Sequence, residues 1–164
     1  MVVLVSDTSI LISLERGGLL EVAFACGLTM VVPDLLYLNE LESTNGAYLQ
    51  KLGLGVIALS SKEVATAQKI KNQRSTLSLP DCFALVCAMR PNHALVSGDK
   101  ALRSEAKKHL NDVFGIFWIL DQMAASGEVD APLLYDGLTA IANDPYCRLP
   151  KEEINIRLKA WSPA

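Results

Sequence analysis

The chain has 164 residues, of which 51% are hydrophobic and 20% charged, which excludes a disordered segment and suits one domain with a single sizeable core. A net charge of −3 and a pI near 5.4 argue against a protein that coats nucleic acid through bulk positive charge. The mean hydropathy of +0.27 fits either a well-buried parallel sheet or extra apolar surface used for a partner.

Taken in chain order, residues 2–6 form a short β-rich run, too brief and too soon interrupted by Asp7 to serve as an export signal. Residues 10–16 carry apolar positions at helical spacing and stop at Gly17-Gly18. A second strand is predicted over residues 29–32, and Pro33-Asp34 opens the helix after it. Gly53-Leu54-Gly55 reads as a turn, because a dinucleotide-binding glycine motif follows a strand and does not precede one. A third strand over residues 55–59 leads to a helix over residues 61–72, with Val64, Ala67 and Ile70 on one face. Residues 80–89 form a helix that closes before Pro91, and Cys82 and Cys87 on it read as core. The fourth strand, 94–97, is followed directly by a helix over residues 100–110. Residues 113–115 suggest a fifth strand, and residues 116–126, 132–143 and 151–161 further helices. The apolar run 114–120 is far too short to span a bilayer. The four cysteines form no CxxC pair and the only histidines are His93 and His109, so zinc is disfavoured and reduced cytoplasmic thiols are expected.

Strands alternating with helices indicate right-handed βαβ units and a mostly parallel sheet covered by helices. Ligands of such sheets bind beyond the carboxyl ends of the strands. Asp7 stands immediately after the first strand and Asp99 immediately after the fourth, so both emerge at that edge. Asp81 stands near the start of its helix, and Glu40 about two turns past Pro33. Singly, each has a bland explanation: Asp7 and Asp99 as helix N-caps, Asp81 as a partner of the helix dipole, Glu40 as a solvated residue. Together, in the settings Ser6-Asp7-Thr8-Ser9 and Ser97-Gly98-Asp99, they suggest an open pocket rich in oxygen. Converging carboxylates repel one another unless a cation or shared protons neutralise them, and an oxygen donor set suits Mg²⁺ or Mn²⁺.

These residues resemble a known family. Asp-Thr-Ser-Ile-Leu at residues 7–11, Val32-Pro33 leading to Asn39-Glu40-Leu41, Leu-Ser-Leu-Pro-Asp at residues 77–81 followed by Ala84-Leu85, and Ser-Gly-Asp-Lys-Ala-Leu-Arg at residues 97–103 look like a PIN domain. The chain is similar to the VapC-like ribonucleases, including toxins of bacterial and archaeal toxin–antitoxin pairs. The ordered motifs cover residues 2–110, and residues 113–161 look like the C-terminal helices of one subgroup. The resemblance implies a three-layer α/β/α sandwich over residues 1–164, with residues 113–164 as a C-terminal helical part. It implies that Asp7, Glu40, Asp81 and Asp99 bind Mg²⁺ or Mn²⁺ and carry the catalysis, supported by the hydroxyls of Thr8 or Ser9 and of Ser97. At position 97 the family often has Thr. It further implies an RNA substrate, a small antitoxin partner, a homodimer and a cytoplasmic setting.

The implied chemistry is metal-assisted attack of water on a phosphodiester, leaving a 5′-phosphate and a 3′-hydroxyl. Lys100 and Arg103 either clamp phosphate or form a solvated helix face. Lys69, Lys71 and Arg74 are likewise either a substrate rim or ordinary surface. Leu35 to Leu41 and Phe114 to Leu120 are the stretches available for dimer or antitoxin contacts. A P-loop is excluded, and an aspartyl-phosphate phosphatase would want an Asp where Ser9 stands. A non-catalytic PIN-like module that binds protein or RNA is the alternative reading.

Overall fold

A computed structural model describes residues 2–163. The strand β1 (Val3–Ser6) is followed by helices α1 (Thr8–Arg16) and α2 (Leu20–Ala25). Next come β2 (Thr29–Pro33), α3 (Asp34–Leu36), a π-helical turn (Tyr37–Leu41), α4 (Gly46–Leu52) and β3 (Gly55–Ile57). Helices α5 (Ser61–Gln73) and α6 (Leu79–Ala88) lead to β4 (His93–Val96), α7 (Lys100–Ala106) and β5 (Val113–Phe114). The chain ends in α8 (Ile116–Ala125), α9 (Ala131–Ala142) and α10 (Lys151–Trp161).

The five strands form one parallel sheet in the order β3-β2-β1-β4-β5. This is the expected three-layer α/β/α architecture. Strands β1, β2 and β4 are short runs of Val, Leu, Met and Ala because they are covered on both faces. Alternation of side chains sends Leu4, Met30, Val32, Ala94 and Val96 into a core shared with α1, α2, α8 and α9. The intervening Val5, Val31 and Leu95 enter a second core with α5, α6 and α7. Helix α6 is apolar nearly all round, with Cys82, Phe83, Ala84, Leu85, Val86 and Cys87 all buried.

The order of strands determines where a site can form. From β1 the chain builds outward through β2 and β3, then returns to place β4 on the other side of β1. The connections after β1 and β4 therefore diverge, which opens a crevice at the carboxyl ends of these two neighbours. The register pairs Ser6 with Val96, so Asp7 and Ser97 leave the sheet side by side.

Local signals explain most boundaries. Asp7 caps α1, so that helix starts at Thr8, two residues before the apolar pattern begins. Ser60 and Glu63 form a capping box at the start of α5. Ser78 caps α6, ahead of Pro80 in its first turn. Helix α7 stops at Ala106, short of residue 110, where Glu105 is buried among Arg74, Lys108 and His109. Val64 is 39% exposed, so the buried stripe of α5 is narrower than its pattern implies. The π-helical turn carries an i→i+5 bond from the Glu42 N–H to the Tyr37 carbonyl at 2.8 Å. No helix of the described residues is long and apolar enough to cross a membrane.

Candidate active site

Asp7 is 4% exposed, and both of its carboxylate oxygens accept hydrogen bonds. One oxygen, Oδ1, accepts from the Ser9 hydroxyl at 2.6 Å and from the Ile10 N–H at 3.2 Å, the second being the cap of α1. The other, Oδ2, accepts a very short hydrogen bond from the Ser97 hydroxyl. Burial pushes the Asp7 carboxyl above the ordinary carboxylate range, the bonds from Ser9, Ser97 and Ile10 oppose that, and the charge of Asp99 adds to it.

Ser97 ties the two strand ends together. Its Oγ donates to Asp7 and also accepts from the Asp99 N–H at 3.0 Å. Ser9 makes a second stitch, accepting from the Gly98 N–H at 2.9 Å. A Cβ on Gly98 would stand 3.0 Å from the Ser9 Oγ, so glycine here permits the approach of α1 to the turn after β4. Asp99 is exposed and caps α7 by accepting from the Leu102 N–H at 2.8 Å. The capping role and a site role are compatible, since the cap occupies one oxygen of Asp99.

Asp81 lies in the first turn of α6, which runs against β1, β2 and β4. Its carboxyl is pushed up to about 6, chiefly by burial; the Ser78 hydroxyl opposes this, and the charges of Asp7, Asp99 and Glu40 reinforce it. Glu40 comes from the π-helical turn, and its Oε1 accepts from the Thr8 hydroxyl at 2.8 Å. The four acids thus come near enough to one another for Asp81 to feel the charge of the other three. They do not touch: among the described residues, no three His, Cys, Asp or Glu side chains are gathered closely enough to hold a metal ion unaided. Mutual influence without contact is what repelling carboxylates do. The donors are carboxylate and hydroxyl oxygens only, which fits a hard cation that keeps several of its waters.

Arg103 does not point out from the helix as a phosphate clamp would. Its Nη1 donates to the Ser97 carbonyl at 2.9 Å, and a Cβ on Gly115 would lie 2.8 Å from that same nitrogen. The guanidinium therefore braces the turn that carries Ser97 and Asp99. Lys100 is exposed beside Asp99. Of the second basic cluster, Lys71 donates to the Ser75 carbonyl at 2.8 Å and Arg74 pairs with Glu105 at 3.5 Å, so both secure the loop before α6. Phe114 and Trp118 stack on each other with centroids 4.1 Å apart and pack against the core, as does Phe117 beneath Arg157. That stretch is largely occupied within the chain, whereas Leu38 is 57% exposed.

These features define a doubly wound α/β/α protein with an acid-lined crevice at its topological switch point. Residues 3–162 match the profile of the PIN domain, and the chain belongs to that family. PIN domains are generally nucleases and typically depend on divalent metal ions. A search of curated proteins finds no match to the chain.

Proposed function

We propose that the chain is a metal-dependent endoribonuclease that hydrolyses RNA phosphodiester bonds, with Asp7, Glu40, Asp81 and Asp99 as its metal-binding catalytic acids. The observation that carries this reading is the placement of Asp7 and Asp99 at the adjacent ends of β1 and β4, joined through Ser97, with the Asp81 carboxyl near enough to feel their charge and that of Glu40. Acids from four separate segments that repel at this range are costly to keep together unless a cation offsets them. Asp7, Glu40, Asp81 and Asp99 would hold Mg²⁺ or Mn²⁺. Such an ion supplies a water of lowered pKa as nucleophile and offsets charge on the phosphate oxygens.

The remaining residues orient. Ser9 and Ser97 hold both oxygens of Asp7, Thr8 holds one oxygen of Glu40, and the Leu102 N–H holds one oxygen of Asp99. Arg103 braces Ser97, and Lys100, exposed beside the site, steers the RNA backbone. Water attacks phosphorus and the 3′-oxygen leaves, which gives a 5′-phosphate and a 3′-hydroxyl. Residues 1–164 act as one PIN-like unit, and the chain is a cytoplasmic toxin that dimerises and is silenced by a small antitoxin. The exposed Leu38, Ile12 and Tyr48 support such contacts.

The test is RNA cleavage with Mn²⁺ by the wild type and by Asp7→Asn and Asp99→Asn. Loss of a direct ligand should exceed the roughly 10–100-fold effect typical of outer-shell changes. Undiminished cleavage by both variants rules the site out.

A further inference from the structure

We infer that the groove between α1 and the π-helical turn seats one nucleobase of the RNA and selects bases carrying an exocyclic amino group. The inference rests on the nuclease reading and adds a specificity subsite to it. Thr8, Leu11, Ile12 and Glu15 recur at the spacing that puts them on one face of α1. Across from them stand Glu40, Leu41, Thr44 and Asn45, and the two walls enclose about 290 Å³. Thr8 and Glu40 belong to both the groove and the acidic crevice, so the groove opens directly beside the proposed cutting site.

The chemistry of the lining favours a base over a phosphate or a sugar. Leu11 and Leu41 are buried, while Ile12 is 41% exposed, so the groove offers an apolar surface that matches the flat face of a heterocycle. Each side-chain donor already has a partner: Asn45 Nδ2 donates to Glu15 Oε2 at 3.1 Å, the Thr44 hydroxyl to the Leu41 carbonyl at 3.0 Å, and the Thr8 hydroxyl to Glu40. The second oxygen of Glu15 remains as an acceptor, and an ionised carboxylate only accepts. It repels phosphate and calls for an N–H donor that is not flanked by acceptors on both sides. Adenine, cytosine and guanine present an amino group, whereas the one pairing-edge N–H of uracil, at N3, lies between two carbonyl oxygens that a carboxylate repels.

The test uses single-stranded RNAs that differ only at the positions flanking a mapped cut, with Mn²⁺, comparing the wild type with Glu15→Gln. For the wild type, kcat/KM should fall about tenfold when uracil replaces an amino-bearing base at one of those positions, as expected for loss of a hydrogen bond to a charged group. Glu15→Gln, whose amide both donates and accepts, should bring that ratio toward one. Glu15 is exposed, so the variant should melt like the wild type. Equal cutting of all RNAs by the wild type overturns the subsite and leaves the nuclease intact. A ratio unchanged by Glu15→Gln also overturns it. A folded wild type that cuts none of the RNAs overturns the nuclease reading along with the subsite.

Discussion

Asp81→Asn in metal-free protein removes a carboxyl that burial, reinforced by the charges of Asp7, Asp99 and Glu40, holds above its ordinary range. The Asp81 carboxyl stands at about 6 in the fold against an ordinary 3.8. Between those values the native state binds more protons than the unfolded chain, so stability is fully present below about pH 4 and is lost as pH rises through about 6. Fully shielded from solvent, such a difference would amount to about 3 kcal/mol. Asp81 is partly exposed, and screening reduces the effect to on the order of 1–2 kcal/mol. Asp7 is shifted in the same direction, so the wild type should keep some of this slope even without Asp81. Asparagine cannot ionise, and it forgoes about 0.3–1 kcal/mol of favourable interaction with the start of α6 at every pH where Asp81 is charged. Urea unfolding in EDTA at pH 4.5 and 7.5 measures the outcome. Wild-type stability should fall between these pH values, and the variant's should fall by on the order of 1 kcal/mol less. Equal slopes for the two proteins refute an Asp81 carboxyl raised in the fold.

Ser97→Ala removes the donor to Asp7 and the acceptor of the Asp99 N–H in one step. It should cost about 1–3 kcal/mol in urea unfolding and lower kcat, and a neutral result would deny Ser97 its linking role. Arg103→Ala should lower kcat with little change in KM or in the salt dependence of KM, because the guanidinium holds the Ser97 carbonyl. A raised KM with a weakened salt dependence would instead make Arg103 a phosphate contact. Gly137→Ala tests the packing of α9 on the start of the chain: its Cβ would lie 2.5 Å from Leu19 Cδ1 and 2.9 Å from the Gly17 carbonyl. A loss of about 1–3 kcal/mol in unfolding is expected, and unchanged stability would show that α9 packs elsewhere.

The parts of the fold legible in the sequence were those written locally. Strands β1, β2 and β4 are continuous apolar runs that end at Asp7, Pro33 and the turn before Asp99, and those ends carried the argument to the crevice. Asp7 and Asp99 read locally as helix caps or as site residues, and in the structure each caps a helix. Other features depend on contacts across the chain. Helices α2 and α4 have six and seven residues and no side-chain cap bond, so nothing local announces them. The π-helical turn that sets Glu40 facing Thr8 has no residue signature of its own. Arg103 reads locally as a free cation on a helix, and the tight turn from β4 into α7 brings it the Ser97 carbonyl. The Ser97-Gly98-Asp99 run does not show why its middle residue is glycine, and the fold does, because the missing Cβ admits Ser9.

The most direct test of the central claim is anomalous diffraction from crystals soaked in Mn²⁺. A peak is expected in the crevice between β1 and β4, within coordination distance of carboxylate oxygens from Asp7 and Asp99, and with Asp81 and Glu40 turned toward it. A well-ordered crevice with no peak at saturating Mn²⁺, or a peak bound only by residues outside these four, would contradict the claim.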